Sequence, residues 1–449
     1  MSANPSTSDH VSSQPAPKIA SYEAQPGEVK KCVLLFSGGL DSTIMVPWLR
    51  ENYGCEVVTF TANLGDPFLD LATLGEKARA IGASEAYTPD LVDQFADEYL
   101  SKAVLANAEY GGAGGGYHLS CPLGRVLIAT EAVRLAQEIG ADAIAHGCTG
   151  KGNDQVRFDS YILTLAPEMK IVAPVREWNM GRDEEYEYAK ARNLPVPPPR
   201  SDSGAAYSND DNLWGFTAEG GDIEYPERVP PMHEILRLCT PPDKAPAKAD
   251  ELTLRFENGL PVALNGAEKK LSALIAELNQ LGGKHGIGYT ILIEDRIVGL
   301  KVRGVYENPA AHILIEAHRN LERITKTRDL LDTKAMLDRQ FSNYVYDARW
   351  YDQVMEPLWA FIAAANENVT GEVTMSVCRG HSVVTAVQSP YAMFDANLAT
   401  FETVKAGRGF NTAAAAPFIE LYSLQNRQAY AIRNLDTRLP QADGPAGPG

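Results

Sequence analysis

The sequence predicts an α/β protein in which a parallel, doubly wound sheet comes first, an α+β domain follows, and a helix closes the chain. Three observations predict this. Short apolar strands alternate with helices from Lys31 to Arg192, polar glycine-bearing turns end two of those strands, and hairpin signals with long helices replace the alternation beyond Pro241.

Bulk properties set the limits. At 449 residues the chain exceeds what one core usually sustains, so more than one domain is expected. A formal net charge of −17 argues against a nucleic-acid surface, which needs a basic face. The six cysteines (Cys32, Cys55, Cys121, Cys148, Cys239, Cys378) lack CxxC or Cys/His metal spacing, so neither a zinc site nor a disulfide framework is expected and a reducing cytoplasm fits. No long apolar span and no basic-then-apolar leader is seen, so neither a membrane helix nor a signal peptide is expected.

Residues 1–29, rich in Ser, Pro, Ala and Gln, read as a disordered arm, and the α/β domain is expected over 30–200. It opens on Cys32-Val-Leu-Leu-Phe-Ser-Gly-Gly-Leu-Asp-Ser-Thr43. The apolar run 32–36 reads as a buried parallel strand, Gly38 and Gly39 let the backbone approach an anion, and Asp41, Ser42 and Thr43 suit the cap of a helix running to about Arg50. The positive end of that helix then faces a phosphate. No GK[ST] follows, so this is not a Walker A loop, and no lysine is placed to reach a terminal phosphate. The same residues also suit an ordinary strand-to-helix turn.

A strand over 56–61 delivers Ala62-Asn-Leu-Gly65 to the edge where a doubly wound sheet binds ligands. A helix over 71–81, a strand over 85–87 and a helical stretch over 91–109 follow. Gly111-Gly-Ala-Gly-Gly-Gly116 suits a flexible linker or a loop that orders on a ligand. Beyond Tyr117-His-Leu-Ser-Cys-Pro-Leu-Gly-Arg125, a helix over 127–139 and a strand over 142–145 lead to His146-Gly-Cys-Thr-Gly-Lys-Gly-Asn-Asp-Gln-Val-Arg-Phe158. Its glycines expose backbone N–H groups. Thr149, Asn153 and Asp154 suit an amino-acid ligand, Lys151 suits a phosphate, and Arg157 can pair with a carboxylate.

A strand over 169–175 and a helix over 184–192 end at Pro195-Val-Pro-Pro-Pro199, a stiff boundary. The second domain is expected over 201–409. It begins with a polar binding loop, 201–225, without secondary structure. Strands over 252–257 and 261–264 flank Asn258-Gly as a hairpin, a helix spans 271–281, and strands over 289–296 and 297–306 carry Glu294 and Tyr306. Helices over 310–363 and a hairpin at 372–378 and 382–386 complete it. An apolar helix over 413–434, within 410–436, looks like an arm that packs on a neighbour, and 437–449 reads as a disordered tail.

Ser37-Gly-Gly-Leu-Asp-Ser42 resembles the SGGxDS loop of the PP-loop ATP pyrophosphatases, whose sheet is HUP-like. With TGKGNDQVRF at 149–158, KHGIG at 284–288, EDRIVG at 294–299 and RGVYENP at 303–309 in matching order, the chain resembles the argininosuccinate synthase family from about residue 31 to 434. The resemblance implies an ATP-dependent ligase that uses Mg²⁺. In it the ureido oxygen of L-citrulline attacks the ATP α-phosphate, and the amine of L-aspartate then displaces AMP to give argininosuccinate. It also implies a homotetramer.

By motif, Phe36, Ser37, Gly38, Gly39, Leu40, Asp41, Ser42 and Thr43 would hold ATP phosphates, with Ala62 and Gly147 beside the adenine. Thr149, Asn153 and Asp154 would bind aspartate near Cys121. Tyr117, Arg157, Ser208, Thr217, Glu294 and Tyr306 would hold citrulline, with Glu294 on its α-amino group and Arg157 on its carboxylate. Asp41, Arg125 and Asp154 would be the catalytic residues; no metal ligand and no general base is evident. Cys121 stands where the family usually has Thr, Asp66 where it has Gln, Asp295 where it has Asn and Val302 where it has Ser. These departures leave open a relative that joins aspartate or another amine to a different ureido or amide substrate, or a nucleotide-binding sensor without turnover.

Overall fold

A computed structural model describes residues 18–112, 116–197, 207–399 and 411–434. Most of the expected arm (1–17), the centre of the glycine-rich loop (113–115), the domain limits expected at 200 and 409, and the tail over 437–449 lie outside the described residues. The chain divides into two units, Met1–Tyr391 and Ala392–Gly449.

The first unit carries three sheets. In one, β1 (Lys31–Leu35), β2 (Glu56–Phe60), β3 (Glu85–Tyr87), β4 (Ala143–Ala145) and β5 (Lys170–Val172) run parallel in the order β3-β2-β1-β4-β5. Cys32, Val33 and Leu34 are fully buried, which is why the central strand reads as an unbroken apolar run. The chain winds from β1 to β2 on one side and reaches β4 on the other, so the switch point of the winding lies between β1 and β4. The helices flanking the sheet are α1 (Leu40–Tyr53), α2 (Leu71–Ala80), α3 (Ser120–Glu138), α4 (Asn153–Leu165) and α5 (Arg182–Ala191).

The other two sheets are antiparallel. Hairpin strands β6 (Ser208–Asn212) and β7 (Gly215–Glu219) continue into β12 (Lys301–Glu307) and β11 (Tyr289–Asp295), in the order β11-β12-β7-β6. The third sheet holds β8 (Asp250–Glu257), β9 (Leu260–Leu264), β10 (Ala267–Glu268), β13 (Gly371–Cys378) and β14 (His381–Gln388). Helices α6 (Leu271–Lys284), α7 (Pro309–Thr325), α8 (Arg328–Tyr346) and α9 (Met355–Ala365) pack with these. One apolar core, from Val33 to Val377, joins the α/β and α+β parts.

The structure corrects several expectations in the first unit. Residues 18–29, expected in the disordered arm, are held: Ala24 and Val29 are buried, and Glu23 bridges Ile171 so that the segment lines the open edge of β5. The loop expected over 201–225 contains the β6–β7 hairpin, because Trp214, Phe216 and Ala218 bury alternate positions and β7 pairs with β12. Helix α3 begins at Ser120 rather than 127. Pro122 hides this in the sequence, yet proline is tolerated in a first turn.

In the second unit the expected single helix over 413–434 is two, α10 (Ala415–Tyr422) and α11 (Leu424–Arg433), which meet at Ser423. Phe418, Leu421, Tyr422, Tyr430 and Ile432 are exposed on them.

Candidate active site

The carboxyl ends of β1, β2 and β4 converge on one edge of the parallel sheet. Beyond β1, Gly38 adopts a left-handed φ of 75°, and Gly39 caps α1 in an extended conformation with no side-chain bond to the helix. The cap expected from Asp41, Ser42 and Thr43 is therefore not made. Helix α1 starts at Leu40, and those residues lie within its first turn, whose orphan N–H groups stay available to an anion. Ser37 and Ser42 share a hydrogen bond of 3.1 Å, Thr61 Oγ1 donates to the Phe36 carbonyl, and Asp41 pairs with Arg182 at 2.7 Å. Ala62 follows β2 at the same edge. Gly147 follows β4 and lies so close to Met45 of α1 that a Cβ there would strike it.

The turn after β4 is anchored from behind. His146 Nε2 donates to Asp159 at 2.6 Å and its Nδ1 accepts the Cys148 N–H, which fixes the tautomer; Asp159 also meets Arg176 and the Tyr22 hydroxyl. Thr149 and Lys151 are exposed on the turn. Asn153 opens α4 with its amide tied on both sides: its Nδ2 donates to the Tyr346 hydroxyl and its Oδ1 accepts the Ile297 N–H. Arg296 reaches the Lys151 carbonyl at 2.9 Å and pairs with Glu219, so the 294–297 segment docks against the turn.

Next to it sits a charged cluster. Asp154 accepts from Arg125 and Arg157, each at 2.9 Å, and its Oδ1 lies 3.4 Å from the Cys121 thiol. Arg125 also pairs with Asp210. Burial works to raise the Asp154 pKa, but the two guanidinium charges more than offset it and hold the carboxyl well below the usual range. Burial keeps Cys121 a neutral thiol. Arg157 is not free for an incoming carboxylate here, since its remaining donors reach the Tyr346 carbonyl.

The residues expected around citrulline divide. Tyr117 and Tyr306 pack with ring centres 4.2 Å apart and planes tilted by 30°, Thr217 stands opposite Tyr306 in the β7–β12 register, and the Tyr117 hydroxyl accepts the Cys121 N–H at 2.7 Å. The Tyr306 hydroxyl and Glu294 Oε2 are buried without a hydrogen-bond partner among the described residues, which leaves polar atoms for a ligand. Burial raises the Glu294 carboxyl. Ser208 lies at the exposed start of β6, opposite Glu219.

Sequence reading gives no site role to Asp210, Glu219, Arg296 or Tyr346. Asp210 and Glu219 lie in the stretch read as a polar loop, and Arg296 reads as a charged residue of a strand, whereas Tyr346, at the end of a long helix, carries no local signal. Its ring lies 3.7 Å from that of Tyr110, parallel to it, and its hydroxyl also donates to the Asp295 carbonyl.

Residues 31–195 match the family model for the arginosuccinate synthase N-terminal HUP domain, and residues 207–429 match that for the arginosuccinate synthase C-terminal domain. The chain belongs to the argininosuccinate synthase family. It is 43% identical over 399 residues to the chloroplastic argininosuccinate synthase of Arabidopsis thaliana, covering 89% of this chain and 79% of that one. It is 42% identical over 395 residues to argininosuccinate synthase of Clostridium perfringens, covering 88% and 95%. Against the Pyrococcus furiosus argininosuccinate synthase it is 43% identical over 400 residues, covering 89% and 94%.

One of the departures from the family pattern turns its side chain away from the pocket. Asp295 turns its carboxylate out to Lys301 and contributes only its backbone carbonyl; Val302, by contrast, stands directly opposite Glu294 in the β11–β12 pair and so shares its face of the sheet. Asp66 accepts the Phe68 N–H at 2.7 Å, and burial raises its carboxyl. Cys121 alone replaces a hydroxyl beside Asp154. Among the described residues no helix is long and apolar enough to cross a membrane.

Proposed function

We propose that this protein condenses L-citrulline with L-aspartate at the expense of ATP, giving argininosuccinate, AMP and pyrophosphate. The observation that carries the reading is the juxtaposition, on adjacent strands β1 and β4, of a backbone anion loop and a turn rich in amino-acid-binding groups. A urea is a poor nucleophile at oxygen and a poor electrophile at carbon, so positioning and charge stabilisation must do most of the work. The loop N–H groups hold the triphosphate, the ureido oxygen attacks the α-phosphorus, and pyrophosphate departs. The aspartate amine then attacks the activated carbon and AMP leaves with that oxygen.

Asp154 stays ionised and is a weak proton acceptor, so it accepts a hydrogen bond from the aspartate amine, which arrives deprotonated, rather than acting as its base; the protons of the amine remain on the guanidinium that forms. Thr149 and Asn153 complete the aspartate side. Glu294 and the Tyr306 hydroxyl take the citrulline α-amino end, with Tyr117, Thr217 and Ser208 around it. Arg157 turns from Asp154 to the citrulline carboxylate.

Mg²⁺ comes with the nucleotide. Of residues 37–43 only Asp41 carries a carboxylate, so phosphate and water oxygens supply most of its ligands. The Cys121, Asp154 and Asp210 ligand atoms lie within 4.8 Å of one another, but a soft thiol and two arginine-bound carboxylates do not suit that ion. The exposed apolar residues of α10 and α11 suit a homotetramer contact, which light scattering would overturn by returning a monomer mass. A cytoplasmic setting suits the six free cysteines.

The deciding assay supplies ATP, Mg²⁺, citrulline and aspartate and measures AMP and argininosuccinate. Absence of both products at millimolar substrates sinks the proposal. A second reading rests on Cys121: a thiol in place of a hydroxyl beside Asp154 suits a different amine, and a panel of amines and ureido compounds would reveal it as AMP release that citrulline and aspartate do not give.

A further inference from the structure

The loop at 37–43 contains no lysine or arginine, so by itself it meets a departing pyrophosphate with backbone N–H groups and the hydroxyls of Ser37, Ser42 and Thr43, and with no positive side chain. The fold brings a cation to it from another element. Lys77, on α2, donates from Nζ to the Gly38 carbonyl at 2.6 Å. Leu74, three residues earlier on the same helix face, packs so tightly on Gly38 that a Cβ there would run into it. Two side chains of one helix thus press on one residue of the loop.

The surroundings of Lys77 are informative. Its side chain is half-buried, burial pulls its pKa down, and no carboxylate among the described residues opposes that effect. This chain has 58 acidic residues against 41 basic ones, yet no carboxylate among the described residues pairs with Lys77. Lys77 instead meets a loop carbonyl, which accepts only one of the three N–H groups of an ammonium.

We propose that Lys77 is a pyrophosphate-binding residue whose ammonium extends from the Gly38 carbonyl to the terminal phosphate oxygens of the bound nucleotide. The bond between the α-phosphorus and its bridging oxygen breaks, the electron pair goes to that oxygen, and Lys77 stabilises the negative charge that develops without giving up a proton. Helix α2 thereby supplies from outside the charge that a Walker A loop carries within it.

This rests on the adenylation reading above. The test is calorimetric titration of the full-length protein with Mg²⁺–pyrophosphate and, separately, with AMP. Lys77→Met should weaken pyrophosphate binding about tenfold or more while changing AMP binding by less than about twofold, and Lys77→Arg should recover part of the loss. Leu74→Ala disturbs packing behind Gly38 with the charge intact, so it should weaken pyrophosphate far less. Equal pyrophosphate affinity in the parent and Lys77→Met overturns the proposal. So does an equal loss in Lys77→Met and Leu74→Ala, which would make Lys77 a prop for the loop. A parent protein that binds AMP but no pyrophosphate overturns the adenylation reading as well.

Discussion

The loop proposed to hold phosphate and the pocket proposed to hold the amino acids lie beside each other at one edge of the parallel sheet and are built in opposite ways. The loop is a contiguous run, 37–43, whose working groups are backbone N–H donors set by the left-handed Gly38 and the extended Gly39. The pocket draws Cys121 and Arg125 from α3, Asp154 and Arg157 from α4, Asp210 from β6 and Tyr346 from α8, and its working groups are buried charges. A site made of backbone fails when its conformation changes, while a site made of paired charges fails when one partner is lost.

The largest effect is expected at Asp154. Asp154→Asn leaves two buried guanidinium groups without their shared charge, a loss on the order of 3–5 kcal/mol, so argininosuccinate formation should fall about 10³-fold. Citrulline-dependent ATP–pyrophosphate exchange should fall only about tenfold, because Arg157 keeps its contacts to the Tyr346 carbonyl. Exchange lost in step with the overall reaction would mean that the two halves of the edge are not separable.

At the loop, Gly38→Ala puts a Cβ in a left-handed conformation and against Leu74, costing about 1–2 kcal/mol for the backbone alone. Nucleotide affinity measured by titration should drop about tenfold, with the aspartate KM unchanged. A smaller effect is expected for Tyr346→Phe, which removes the acceptor for Asn153 and the donor to the Asp295 carbonyl. Each such bond contributes about 0.5–1.5 kcal/mol, so the aspartate KM should rise several-fold. The nucleotide KM, governed by the other region, should stay in place.

The smallest effect concerns pH. Burial first, then the charge of Asp66, lifts the Asp211 carboxyl to about 7. A carboxyl with a folded pKa above its unfolded value holds its proton more tightly in the folded state. Below the unfolded pKa, near 4, it is protonated in both states and costs nothing; between there and about 7 only the unfolded state ionises freely, so stability falls progressively across that interval. Asp211→Asn removes that slope, so thermal melts should show it gaining on the parent as pH rises across this interval. A constant difference at every pH would exclude the titration of Asp211 as the cause.

The same contrast explains what the sequence revealed. The loop was legible because its residues are neighbours in the chain and Gly-Gly between an apolar strand and a helix has a local physical meaning. Asp154 and Arg157 were legible because a single turn carries them. Lys77 and Tyr346 were not, since each reaches the edge through tertiary packing of a helix whose own pattern signals only burial. The β6–β7 hairpin was hidden for a related reason: its polar strand reads as loop until β12 supplies the pairing that holds it.

The edge contact made by the leading segment has a practical consequence. Tyr22 donates to Asp159, Asp159 holds His146, and His146 receives the Cys148 N–H, so this segment is in mechanical series with the ligand-facing turn. A shortened recombinant version starting at Lys30 would bare the flank of β5 to sticky neighbours and slacken that turn in one cut. Purification handles for this protein therefore belong upstream of an untrimmed leader.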